Sequence, residues 1–188
     1  GFSVKPLTPA QWEDFANLFG DRGACGGCWC MLWRLPPKQF KEQKGEGNRR
    51  AMKAIVEVGE KPGILAYDSA RAIGWCAVAP RERYGYLARS RILKPVDDRP
   101  CWSVSCLFID KRYRRKMVSS ELLKAAVAFA EAQGAQVVEG YPVEPKPGKT
   151  IASAFAWTGL ASAFLRAGFQ EVARRSPTRP IMRIERNG

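Results

Sequence analysis

Three groups of side chains in this sequence have types and spacings that could carry chemistry. Cys25-Gly26-Gly27-Cys28-Trp29-Cys30 places three thiols within six residues. Lys111-Arg112-Tyr113-Arg114-Arg115-Lys116 supplies five cations in six residues, directly ahead of a run with helical apolar spacing. Glu139 and Tyr141 stand two apart in a strand-like run, Val137 to Tyr141, where alternation puts both side chains on one face. What is missing matters as much: the chain has no histidine. Imidazole bases, His-activated nucleophiles and mixed Cys/His zinc sites are removed, leaving Glu, Asp, Tyr, Cys, water or backbone for proton transfer.

Each group has a chemistry and a plain structural alternative. Three thiols suggest zinc, but a fourth ligand would have to come from Cys76, Cys101, Cys106 or a carboxylate, and no second CxxC pair exists. No metal is therefore expected. A CxxC redox pair lacks the strand that usually precedes it. The preferred reading makes Cys28, Trp29 and Trp33, with Met31, an apolar wall of an acceptor-substrate pocket; packing of the loop onto the sheet is the alternative. A helix that starts directly after a strand presents free N–H groups and the positive end of its dipole, so the basic run points to a phosphate-bearing ligand. Its alternative is a solvated basic surface.

The elements that must position these groups follow from periodicity and punctuation. A strand over Phe2 to Lys5 precedes a helix opened by Thr8-Pro9-Ala10-Gln11, buried through Trp12, Phe15, Ala16 and Phe19, and closed by Gly20. Pro36-Pro37 opens a short helix to about Lys44, and Asn48 caps another, buried through Met52, Ile55 and Val56. Gly63 to Tyr67 and Ala72 to Ala79 read as a hairpin, and Pro80 to Pro100 as a long connection with one helical turn near Tyr86 to Ser90. Trp102 to Ile109 is an apolar strand leading to a helix with Val118, Leu122, Ala126 and Phe129 on one face, then to the strand Gln136 to Tyr141. Strand, helix, strand in that order normally makes two parallel strands. Thr158 caps a last helix ended by Gly168, and Phe169 to Ala173 and Pro180 to Ile184 complete the strands.

Arg114-Arg115-Lys116-Met117-Val118-Ser119, in this setting, resembles the pyrophosphate-binding motif of the GNAT superfamily of acyl-CoA N-acyltransferases, whose pattern is Gln or Arg, two residues, Gly, one residue, then Gly or Ala. The specific match covers about Cys101 to Phe169. The resemblance implies an α/β fold: one GNAT-like domain over residues 1–188, a mixed sheet of about seven strands flanked by helices, with splayed central strands. It implies that acetyl-CoA is the cosubstrate, held by Arg114, Arg115, Lys116, Met117, Val118, Ser119 and Ser120, and paired through the backbone of Cys106, Leu107 and Phe108. The activity implied is transfer of the acetyl group to an amine by direct attack. Met117 stands where the pattern has Gly, and Phe164 where many members have the Tyr that protonates the leaving thiolate; Phe164 is read as core. Glu139 becomes the candidate base and Tyr141 the candidate acid, with Cys106 the nucleophile should the reaction run through a covalent step.

Two other functions compete: a non-catalytic acyl-CoA-binding or regulatory module, and a basic nucleic-acid-binding domain. With 31 Lys and Arg against 18 Asp and Glu, the net charge is +13 over 188 residues. The basic runs lack the interleaved aromatic residues of nucleic-acid binders, Tyr113 apart, so no nucleic-acid partner is expected. No apolar run approaches the ~20 residues needed to cross a bilayer, so no membrane partner is expected either. Free thiols, a cytoplasmic location, a monomer or homodimer, and an unidentified amine acceptor complete the expectations.

Overall fold

The computed structural model describes residues 1–114, 117–151 and 156–186. Its strands are β1 (Ser3–Pro6), β2 (Gly63–Asp68), β3 (Arg71–Pro80), β4 (Trp102–Ile109), β5 (Val137–Gly140), β6 (Gln170–Arg174) and β7 (Pro180–Glu185). They form one sheet in the order β1-β2-β3-β4-β5-β7-β6. Neighbours run antiparallel except β4 and β5, which are parallel, as a strand-helix-strand unit requires. Helices cover both faces, so β3 reads as a nearly unbroken apolar run rather than an alternating one.

On one face lie α5 (Val118–Ala132) and α6 (Ala161–Arg166), packed on Ile73, Val78, Val104, Val138 and Met182. On the other lie α1 (Trp12–Phe19), α2 (Pro37–Glu42), α3 (Glu46–Glu57) and the loop carrying the cysteines, packed on Leu65, Trp75 and Ala77. The short α4 (Gly85–Arg89) belongs to a third cluster with Trp33, Tyr84, Leu93, Tyr141 and Ile181. Among the described residues, no helix is long and apolar enough to cross a membrane.

Two irregularities in the middle of the sheet shape everything near the site. Cys106 pairs with Ala77 but Val104 with Val78, so Ser105 is an extra residue in β4, a bulge. Pairing of β4 with β5 runs only from Trp102–Val138 to Val104–Gly140, and beyond it the strands part. A returning segment fills the gap: the Leu107 N–H donates to the Trp157 carbonyl (2.7 Å), and the Val143 N–H to the Gly159 carbonyl (2.8 Å). The implied splay of the central strands is thus present.

Several element ends differ from the sequence reading for local reasons. The α3 helix starts at Glu46, because Gly45 turns the chain at φ +80°, and Asn48 lies inside it, donating its side-chain amide to the Gly27 carbonyl (3.1 Å). That bond ties the helix to the cysteine loop. Thr158 does not cap α6, since Gly159 at φ +92° interposes a turn and Leu160 becomes the flanking residue. The Thr8 segment forms a single 3₁₀ turn ahead of α1, with the Thr8 N–H bonded to Gln11 Oε1 (3.1 Å). The β5 ladder ends at Gly140, one residue before Tyr141.

Gly140 shows how tightly the splay is packed: a Cβ there would overlap the ring of Phe164, which is fully buried against Phe169. Gly140→Ala is expected to lower unfolding free energy by about 1–3 kcal/mol, as overpacking does. A urea midpoint unchanged from the parent would refute that packing.

Candidate active site

A cavity of about 290 Å³ lies on the helix-α1 side of the sheet, where β4 leaves its parallel partner. Ser105, Cys106, Leu107 and Phe108 form one wall, and Trp157 from the gap-filling segment adjoins them. The opposite wall is the cysteine loop, with Cys25, Cys28, Cys30, Leu32 and Trp33. Phe19 and Phe40 close it, and Lys44 is the one charged group among the described lining residues. The sequence-predicted Cys28 and Trp33 are therefore brought to the same cavity as Cys106, Leu107 and Phe108. Trp29 is not among the walls. Its ring is buried among Trp12, Phe15 and Phe19, over a position, Gly23 at φ +58°, where any Cβ would overlap the indole.

The thiols of this cavity are not equivalent. Cys30 Sγ accepts a hydrogen bond from Trp75 Nε1 (3.3 Å) inside the core. Interaction with the neighbouring Cys106 thiol, joined by that indole and the charge of Arg34, holds the Cys30 thiol below its ordinary pKa despite burial. Cys106 is pushed well above its ordinary value by Cys30 and by burial. Burial also raises Cys28. Among the described residues, no three Cys, Asp or Glu side chains converge as metal ligands.

Beyond Ile109, β4 runs into a 3₁₀ turn, Lys111–Tyr113, and then α5. Arg115 and Lys116 lie outside the described residues. Arg114 donates from Nε to the Ile109 carbonyl (3.1 Å), and Arg112 is held by Asp110 (Nη2 to Oδ2, 2.8 Å). Met117 is the flanking residue of α5 and adopts a left-handed backbone, φ +64°, the residue as a whole being 53% exposed. The N–H groups of Val118, Ser119 and Ser120 open the helix and have no intrahelical acceptor by construction. Ser120 turns its hydroxyl back to the Met117 carbonyl (3.1 Å), and Val118 is in the core. A left-handed residue is strained in anything but Gly or Asn, so the preference for glycine in this pattern has a backbone cause in this chain.

Glu139 and Tyr141 do share a face, and they touch: the Tyr141 hydroxyl donates to Glu139 Oε1 (3.0 Å). The same hydroxyl accepts from Arg81 Nη1 (2.9 Å) and lies 2.7 Å from Ser103 Oγ. The other Glu139 oxygen accepts from Arg183 Nε (2.9 Å), and Arg183 reaches on to Asp97 (2.7 Å). Burial first, and the charge of Glu139 second, push the Tyr141 hydroxyl well above its ordinary pKa. Glu139 and Arg183 open onto a second cavity of about 530 Å³, lined also by Arg81, Tyr84, Asp97 and Cys101. The Trp33, Tyr84 and Tyr141 rings stand between this network and the thiol-lined cavity. The structure therefore gathers Glu139 and Tyr141 together but not with Cys106.

Sequence reasoning missed Ser105, Trp157, Tyr84, Arg81 and Arg183. A bulge leaves no mark in a run as apolar as Trp102 to Ile109. The buried Tyr84 hydroxyl, turned toward Ser105 and pushed up by burial, belongs to a connection without periodicity. Arg183 carried a signal: a cation at an inward position of an otherwise apolar strand demands a buried partner.

The sequence profile of the acetyltransferase (GNAT) family matches residues 29–144. No significant match is found among curated proteins. Solved structures share the fold. The PaiA N-acetyltransferase of Thermoplasma acidophilum, in complex with coenzyme A, is 12% identical, with 99% of each chain covered and a TM-score of 0.55. A GNAT-family acetyltransferase of Streptococcus agalactiae is 10% identical at TM-score 0.58, covering 100% of this chain and 97% of the other. PH1933 of Pyrococcus horikoshii is 15% identical at TM-score 0.56, covering 100% and 99%.

Two substitutions test the site's architecture. Arg183→Met is expected to cost about 3–5 kcal/mol in chemical denaturation, because it strands a buried carboxylate; a loss near zero would mean Glu139 is not held as described. Met117→Gly should gain about 1 kcal/mol by releasing the left-handed strain, and a Tm below the parent's would contradict that conformation.

Proposed function

Because the chain belongs to the GNAT acetyltransferase family, we propose that it moves an acetyl group from acetyl-CoA to a primary amine by direct attack on the thioester carbonyl. One observation carries this reading: a single strand, β4, leads from the mouth of the 290 Å³ cavity to the N-terminus of α5. A ligand with an anionic head and a reactive acyl end could lie along that strand and satisfy both ends at once. The free N–H groups of Val118, Ser119 and Ser120, with Lys111 and Arg112 beside them, suit a pyrophosphate. Arg114, the residue flanking the Lys111–Tyr113 turn, adds a further charge.

The edge of β4 fits the linking arm on one condition. The Leu107 N–H, which the arm would use, already donates to the Trp157 carbonyl. In this reading the Trp157–Gly159 segment gives way and the bond is exchanged for one of the same kind, at little net cost. The acyl end then rests against Ser105 and Cys106, and the acceptor enters past Cys25, Leu32 and Lys44. Holding both reactants in one cavity can supply about 7–11 kcal/mol of the barrier without any dedicated acid or base.

Glu139 and Tyr141 act at one remove. The carboxylate spends its oxygens on Arg183, Arg81 and Tyr141, and Tyr141 supports Trp33, a wall of the cavity (ring centroids 5.7 Å apart). Water takes the ammonium proton and supplies one to the departing thiolate. The check is the pH dependence of kcat/KM for Glu139→Gln: its shape should match the parent's, whereas loss of the acidic limb would make Glu139 the base itself.

The activity is tested by titrating acetyl-CoA calorimetrically and then measuring release of free CoA thiol across a panel of primary amines. Binding with turnover supports the reading. Absence of binding rejects it, and binding without turnover on any amine favours a non-catalytic acyl-CoA-binding module instead.

A further inference from the structure

The cysteine loop does more than wall a pocket. Cys30 and Cys106 come from distant parts of the chain, the loop before α2 and the middle of β4, and meet in one cavity. We infer that they form an oxidation site: a small peroxide entering the cavity oxidises the Cys30 sulfur, and Cys106 closes a disulfide with it.

Four features of the site support this. Cys30 Sγ receives the indole N–H of Trp75 (3.3 Å), a donor that stabilises negative charge on sulfur in a site shielded from water. The neighbouring Cys106 thiol, that indole and the charge of Arg34 all lower the Cys30 pKa, while Cys30 and burial raise that of Cys106, so negative charge is favoured on the Cys30 sulfur. Trp29 and Cys30 both adopt left-handed backbone, φ +46° and +64°. Such strain persists only where the surroundings impose it. The other two core-side thiols are excluded by position: Cys76, in β3, is fully buried in the core on the α5 side of the sheet, and Cys101, raised by burial to about 11, opens on the other cavity.

The chemistry balances with hydrogen peroxide as oxidant. The Cys30 thiolate attacks one peroxide oxygen, the O–O bond breaks, and sulfur gives up two electrons to become a sulfenic acid while hydroxide leaves. The Cys106 sulfur then attacks the Cys30 sulfur. An S–S bond forms, the S–O bond breaks, and the departing hydroxide takes the Cys106 proton as water. A low-pKa thiol beside a resolving thiol is the arrangement this sequence of steps requires. The resulting bridge would join the two walls of the cavity. Its effect on acyl transfer depends on the function proposed above, but the thiol chemistry does not.

The test uses the folded full chain exposed to a slight excess of hydrogen peroxide, with free thiols then alkylated and peptides mapped by mass without reduction. A cross-linked pair of peptides containing Cys30 and Cys106, lost on adding dithiothreitol, is the expected result. Trp75→Phe should slow its formation several-fold at neutral pH. Cys106→Ser should let Cys30 run on to the sulfinic acid. A link between Cys25 and Cys28 alone, or Cys30 and Cys106 both still alkylatable while Cys25 is consumed, would overturn the inference. The parent map decides the matter even where a variant fails to fold.

Discussion

The parting of β4 from β5 is the constraint on which the rest of the structure turns. Two parallel strands share a ladder for three residue pairs and then separate, which leaves main-chain donors in the middle of a sheet with no strand to receive them. Buried N–H groups left unpaired cost about 1–3 kcal/mol each, so something must take that place. The chain answers with its own segment, Trp157 to Gly159, whose carbonyls receive the Leu107 and Val143 N–H groups. Gly140 and Gly159 lack side chains where Phe164 comes in against them. The aromatic ring holds the gap open on one face while the cysteine loop borders it on the other.

Charge is distributed by the same geometry. Where β5 still pairs with its neighbours, Glu139 and Arg183 face each other across the β5–β7 register, sealed to 2% and 3% side-chain exposure. Such a pair offsets its own desolvation only by filling every lone pair and proton, and here Arg81, Tyr141, Ser103 and Asp97 do so. The network is thus a fixture of the sheet's lower half. Past the splay, the turn Lys111–Tyr113 carries further cations ahead of α5, with Arg112 held by Asp110 and Arg114 donating to the Ile109 carbonyl.

The Met117 and cysteine segments share a physical character: both place non-glycine residues at positive φ. In the first the cost falls beside the proposed phosphate site, and in the second at a thiol that receives the Trp75 indole N–H. Strain of this kind marks positions whose geometry is imposed by their neighbours rather than chosen by the local sequence.

How much was legible beforehand follows from which forces are local. Helical and strand periodicity, turn glycines and the strand-helix-strand order around Trp102 to Tyr141 are properties of neighbouring residues. They were enough to read the order of elements, the parallel pair and the family pattern at Arg114 to Ser119. The shared face of Glu139 and Tyr141 was readable for the same reason, since alternation is fixed by the pleat. Tertiary structure alone decided that Asn48 would bond a loop and not cap a helix, that Trp29 would turn into the core while Cys28 and Trp33 lined the cavity, and that Arg183 would claim Glu139. It also set Cys30 beside Cys106. Each of those outcomes depends on burial and on partners far apart in the chain, whose energies exist only once the sheet has brought them into contact.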